Sequence, residues 1–174
     1  MYKTNVTHGS FVHADSFVTS SDFIVSAAVQ FANNPVKMNI YVDGCVLSDN
    51  RAGAGVFWGE GDHRNIAKRL GWHHTSLTAE IAAAVTAIKQ ATGLGFLKFT
   101  IVTDCDAVVE YANGKRKEPA IDAGMLYTWV HQLLECLKLP GLNVSWDIVK
   151  AHSHIRGNEE ANRLARLGAE KPDN

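Results

Sequence analysis

Residues 38–47, MNIYVDGCVL, constrain this chain more than any other stretch. Met38, Ile40 and Val42 alternate with Asn39, Tyr41 and Asp43, which is the two-residue period of a strand, and the strand runs out in an acidic residue followed by glycine. An ionised Asp is costly to bury unless something pairs with it. Three later stretches offer partners: Ala79-Glu80 inside a helical pattern, Thr103-Asp104 at the end of a second apolar strand, and residues 151–162. Together they suggest a cluster of oxygen ligands for hard divalent cations.

From Lys37 onward the sequence keeps switching period. After a polar turn at 48–51, residues 52–59 read as a second strand rich in glycine and residues 65–70 as a third, so three strands in a row make a meander. The period then lengthens: Leu77, Ile81, Ala84, Val85, Ile88 and Ala91 recur at helical spacing, with Thr75 or Ser76 as N-cap and Gly93 as the stop. Residues 98–103 are a fourth, apolar strand, 106–113 a short helix before Gly114, and 115–118 a charged connection. Met125, Leu126, Trp129, Val130, Leu133, Leu134 and Leu137 form the apolar stripe of a longer helix that Pro140-Gly141 ends. Residues 143–149 are a fifth strand, and a last helix opens at Asn158 with Ala161, Leu164, Ala165 and Gly168 on one face. The order βββαβααβα predicts an α/β fold: a five-stranded mixed sheet, antiparallel meander plus parallel strands, flanked by helices.

Residues 1–36 are rich in Ser, Thr, Asn and Val and lack a long period. They are expected to be an N-terminal extension that docks on the domain or stays mobile, with the boundary near Pro35 and the folded domain over 37–174. The 174-residue chain, with 46% hydrophobic content, can bury one core of ordinary size. Its formal charge of −1, from 17 basic and 18 acidic side chains, argues against nucleic-acid binding driven by bulk charge; a polyanion has to be met by a local patch and by metal ions. Cys45, Cys105 and Cys136 show no paired or metal-ligand spacing, so a reduced, intracellular setting in nucleus or cytoplasm is expected. No apolar run reaches membrane-spanning length and no secretory pattern opens the chain, so a soluble protein, expected as a monomer, follows.

Asp43 and Asp104 both end apolar strands, and in open α/β sheets ligands sit at the carboxyl ends of strands. Glu80, with Leu77, Ile81 and Ala84 about it, points near the core face of its helix. Each alone has an ordinary reading: a strand-end Asp before Gly forms turns, and a Glu early in a helix favours the dipole. Converging, the three would repel severely in a dry site, and Mg²⁺, or Mn²⁺ as substitute, is the natural neutraliser. Two such ions roughly 4 Å apart can clamp a phosphodiester.

At these residues the sequence resembles a known family. Through YVDGC (41–45), TAEIAAAVTAI (78–88), the TD of IVTDC (101–105) and AHSHIRGNEEANRLARLGA (151–169), residues 37–170 resemble the catalytic domain of type I ribonuclease H. The resemblance implies a ribonuclease H-like fold and an endonuclease that hydrolyses the RNA strand of RNA/DNA hybrids with two divalent metals, leaving 5′-phosphate and 3′-hydroxyl ends. It implies Asp43, Glu80 and Asp104 as catalytic metal ligands, and His152 as the loop histidine that assists proton transfer or product release. Where the family pattern GNEEAD carries a fourth acid, this chain has Asn162. An amide oxygen still coordinates a hard cation but brings no charge, so weakened metal use is expected rather than abolished chemistry. A natural variant that still works, a substitution introduced to quiet the enzyme, and a degenerate member that only binds are the three explanations, and the first is preferred.

Gly44, Thr75, Ser76, Lys115 and Arg116 are the candidate substrate contacts. Thr75 suits a phosphate and Ser76 a 2′-hydroxyl, whereas Leu77 stands where the family commonly has a polar residue and can do neither. The tryptophan-rich basic protrusion of cellular relatives is missing after Asp104, leaving Lys115, Arg116 and Lys117, so weaker and more salt-sensitive hybrid binding is expected. The alternative function is a catalytically weakened or inactive hybrid-binding or interaction module on the same fold; a DNA-directed nuclease of that superfold fits the GNEEA run less well. Several other residues take ordinary readings: His73 and His74 are adjacent and face opposite ways, His154 is an exposed loop residue, Trp129 is core, and Cys45 is a packed small residue rather than a nucleophile.

Overall fold

Two short turns fold three successive strands back on one another. β1 (Asn39–Val46) pairs antiparallel with β2 (Ala52–Phe57), placing Asp43 opposite Gly55, and β2 pairs antiparallel with β3 (Ile66–Gly71). The computed structural model describes residues 37–172 apart from His152. On the other side of β1, β4 (Lys98–Thr103) runs parallel, and β5 (Asn143–Ile148) runs parallel to β4, so the sheet order is β3-β2-β1-β4-β5. Parallel neighbours need crossovers. The helix α1 (Ser76–Gly93) makes the one into β4; α2 (Asp106–Ala112) and α3 (Met125–Leu137) make the one into β5, and α4 (Arg156–Glu170) follows the sheet. The mixed five-stranded sheet read from the sequence is the one observed.

Strand alternation divides the packing. Ile40, Val42, Ala54, Val56 and Ile101 face one way and join Ile81, Val85 and Ile88 of α1 and Val130 and Leu133 of α3 in the main core. Tyr41 and Phe57 face the other way, where Ala161 and Leu164 of α4 cover them. On the α4 face the helix approaches the sheet at backbone distance. A Cβ on Gly53 would lie 2.2 Å from the Ala165 carbonyl oxygen, and one on Gly55 would lie 2.0 Å from that of Ala161. Those bare positions let α4 rest backbone to backbone on β2, which is why β2 is so rich in glycine.

Three local differences from the sequence reading have physical causes. The first strand does not run out at Asp43 but continues to Val46, because Gly44, Cys45 and Val46 stay paired with Ala54, Gly53 and Ala52 of β2. The last helix starts at Arg156, not Asn158, and its N-cap Ile155 contributes no side-chain hydrogen bond, so the usual Ser/Thr/Asp/Asn signal is absent. The connection after α2 also contains a short 3₁₀ turn, Ile121–Ala123. No helix among the described residues is long and apolar enough to cross a membrane.

Candidate active site

Three separate elements deliver three carboxylates to one place. Asp43 comes from β1, Glu80 from the second turn of α1, and Asp104 from the residue after β4; each offers an oxygen within 4.8 Å of the others. Local sequence explains the approach of α1. Thr75 caps the helix with a reciprocal box, its Oγ1 accepting from the Thr78 N–H at 3.2 Å while Thr78 Oγ1 accepts from the Thr75 N–H at 2.8 Å. Gly44 then lets the following turn close on β1, because a Cβ there would sit 2.3 Å from the Glu80 nitrogen.

The electrostatics follow from that crowding. Asp43 is only 5% exposed, and Glu80 and Asp104 are half-buried. Burial first, then the Asp43 charge and a hydrogen bond shared with Asp43, push the Glu80 carboxyl up to about 10, against a lowering contribution from the Gly44 N–H. At neutral pH Glu80 therefore holds a proton when no cation is bound. Its Oε2 is buried without a hydrogen-bond partner. An orphaned acceptor beside two further carboxylates is a donor set that fits a hard divalent cation, which would replace the proton and satisfy that oxygen.

The remaining expected residues fall in different places. Thr75 and Ser76 are exposed at the start of α1, with the Thr75 hydroxyl engaged in the cap. Leu77 packs against the main core, which accounts for an apolar residue at that position. Lys115 and Arg116 are exposed beyond α2; Arg116 pairs with Glu110 at 2.8 Å and stacks over Tyr111. Asn162 is exposed on α4. His152 lies outside the described residues. His154 is exposed, with Nδ1 3.3 Å from Glu159, and His73 is exposed while His74 is buried, only 6% exposed. Burial and the neighbouring Asp43 raise the Cys45 thiol pKa, the opposite of nucleophile activation.

One site residue escaped the sequence reading. Asn158, in the first turn of α4 and 5% exposed, donates from Nδ2 to Asp104 Oδ2 at 2.9 Å. The available signal was a polar residue on the same helical face as Ala161 and Ala165, where an apolar one is expected.

This combination of a mixed β3-β2-β1-β4-β5 sheet and three strand- and helix-borne carboxylates coincides with the comparisons to known proteins. A family model described as RNase H matches residues 35–170, and the chain belongs to the RNase H family, type I. It is 33% identical to ribonuclease H1 of Homo sapiens over 172 residues, covering 93% of this chain and 55% of that protein. It is 34% identical to ribonuclease H1 of Mus musculus over 144 residues, covering 77% and 50%. The chain thus spans about half the length of these relatives. In fold it is similar to RNase H1 from the archaeon Halobacterium salinarum (TM-score 0.58, 24% identity, 76% of this chain and 96% of that one). It is likewise similar to a foamy viral protease-reverse transcriptase solved in complex with an RNA/DNA hybrid (TM-score 0.59, 22% identity, 76% and 20%).

Proposed function

We propose that this protein hydrolyses the RNA strand of RNA/DNA hybrids as an endonuclease, leaving 5′-phosphate and 3′-hydroxyl ends. The observation that carries the proposal is the meeting of Asp43, Glu80 and Asp104 within 4.8 Å, on the scaffold of a family whose members are ribonucleases H. Those three side chains, with the Asn162 amide oxygen as a fourth and weaker ligand, would hold a pair of Mg²⁺ or Mn²⁺ ions. What bound cations supply is a lowered pKa for the attacking water and charge for the departing oxygen.

The chain's own groups do the rest. Asp43 and Asp104 stay in register because their strands are parallel neighbours in the sheet. Glu80, once its proton leaves, adds the third negative charge. Thr75 and Ser76, both exposed, are assigned to meet a backbone phosphate and a ribose 2′-hydroxyl, and the latter is how a site tells RNA from DNA. Lys115 and Arg116 supply a local basic patch on a chain with almost no net charge. His152 is assigned to proton transfer or product release. Residues 37–174 are assigned as the catalytic domain and 1–36 as an appended extension. The three free cysteines fit a reducing compartment, nucleus or cytoplasm, and a monomer is the working state.

The test uses labelled RNA/DNA hybrid, duplex RNA and duplex DNA, each incubated with Mg²⁺ or Mn²⁺. The unaltered protein is expected to cut only the RNA of the hybrid, at least slowly, and Asp104→Asn to cut nothing. If neither the unaltered protein nor Asn162→Asp cleaves hybrid although both bind it, the chain is a hybrid-binding module instead.

A further inference from the structure

Asn158 combines two unusual features. It is 5% exposed, and while its Nδ2 is spent on Asp104 Oδ2 at 2.9 Å, its Oδ1 is buried without any hydrogen-bond partner. Leaving a buried amide oxygen unpaired is costly, because its lost hydration is not replaced. Leu or Ala would avoid that penalty on a helix face that otherwise carries Ala161 and Ala165.

The helix is also fixed where Asn158 needs it. A Cβ on Gly157 would penetrate the Tyr41 ring, 2.4–2.5 Å from its carbons, so the first turn of α4 is pressed onto β1 two residues before Asp43. The backbone that carries the amide therefore cannot move away from Asp104 without lifting the start of the helix. An amide also differs from the alternatives in kind. Arg or Lys at this point would hold the carboxylate but cancel its charge; Asn donates one hydrogen bond and leaves the full negative charge for a cation.

We infer that Asn158 is a positioning residue of the acidic site: its Nδ2 holds the Asp104 carboxylate in place for a divalent cation, and its Oδ1 accepts a hydrogen bond from water brought in with that cation. The assignment rests on the proposed metal-dependent reading of the site and deepens it. Hard cations keep part of their hydration shell, which gives the stranded Oδ1 a donor when the site is loaded. Groups that orient ligands in this way typically change metal affinity or activity by about 10–100-fold when removed.

The experiment measures Mn²⁺ binding calorimetrically on the full chain without nucleic acid, for the unaltered protein, Asn158→Leu, Asn158→Ala, Asp104→Asn and the Asn158→Leu/Asp104→Asn double variant. Thermal unfolding with and without Mn²⁺ accompanies it. Asn158→Leu and Asn158→Ala are expected to weaken Mn²⁺ binding at least tenfold and to shrink the Mn²⁺-induced rise in Tm, with little added loss in the Asp104→Asn background. A purely structural role would lower Tm equally with and without Mn²⁺ and leave the affinity alone; affinity within twofold of the unaltered chain in either folded variant overturns the inference. Should Asn158→Leu fail to fold, Asn158→Ala decides by the same criteria. Hybrid cleavage separates the two proposals. Tenfold weaker Mn²⁺ binding by the variants of a chain that never cuts hybrid sinks the nuclease reading alone, whereas cleavage with unchanged Mn²⁺ affinity sinks the Asn158 assignment alone. An unaltered chain that binds no Mn²⁺ at millimolar concentration sinks both.

Discussion

Gly44 of β1 lies against the peptide that joins Ala79 to Glu80: a Cβ there would come within 2.3 Å of both the Ala79 carbonyl carbon and the Glu80 nitrogen. Neither atom belongs to a flexible side chain that could yield. Gly44→Ala must push α1 away from β1, moving Glu80 from Asp43. The expected result is a loss of about 1–3 kcal/mol in stability, together with Mn²⁺ affinity reduced by about an order of magnitude, read by denaturant unfolding and calorimetry. Gly59→Ala is the control, since no atom lies within 4 Å of a Cβ at that position.

Glu80 should make the metal-free protein sensitive to base. Its pKa rises from 4.5 to about 10 on folding, so between those values the native state keeps a proton that the unfolded chain has lost. The stability contributed by this group is full below the unfolded value and declines as pH rises toward 10. Glu80→Gln removes that slope and is expected to gain on the parent steadily from pH 6 to pH 9 in metal-free thermal scans. Cation binding near pH 7 should expel the proton, seen as a calorimetric enthalpy that varies with the ionisation heat of the buffer. Parallel scans for the two proteins would contradict this account.

His74 works in the opposite sense. Burial lowers its pKa from 6.5, outweighing a weaker raising contribution from the Leu70 carbonyl, and neither ring nitrogen makes a hydrogen bond of normal geometry. The unfolded chain therefore binds a proton that the native imidazole resists, and stability is lost as pH falls below 6.5. The His74 ring sits 6.0 Å from that of Trp129, so His74→Phe should preserve most of the contact. Its Tm is expected to fall less than the parent's between pH 7 and pH 5.

Asn162→Asp tests what the missing charge does. The residue is exposed, so folding stability should move by less than about 0.5 kcal/mol. A fourth carboxylate should tighten Mg²⁺ binding several-fold, and hybrid cleavage should equal or exceed that of the parent at limiting Mg²⁺. Unchanged Mg²⁺ dependence would mean that position 162 contributes no ligand.

Period alone made most of the fold legible. Alternation at residues 38–43 and helical spacing from Leu77 to Ala91 depend on which face is buried, a local pattern that survives in one dimension. Asp43 and Asp104 stand out because a charge closing an apolar run needs an explanation, and Glu80 because it points near the core face of its helix. What stayed hidden depends on distant partners. The glycines of β2 have no meaning until α4 lies on them, and Leu77 looks misplaced until the core beneath it is seen. Asn158 is the sharpest case: the sequence reads it only as the residue at which the last helix opens, whereas its side chain turns inward to Asp104.

The seat that Gly53 and Gly55 provide for α4 also sets a timetable for biosynthesis. All three carboxylates have left the ribosome long before residue 156, yet the groove on β2 stays vacant and Asp104 lacks its amide partner until the final helix emerges. A nascent chain can thus assemble its sheet while its acidic centre remains unfinished, and Asp104 gains its Asn158 partner only with the last stretch of the domain to be translated.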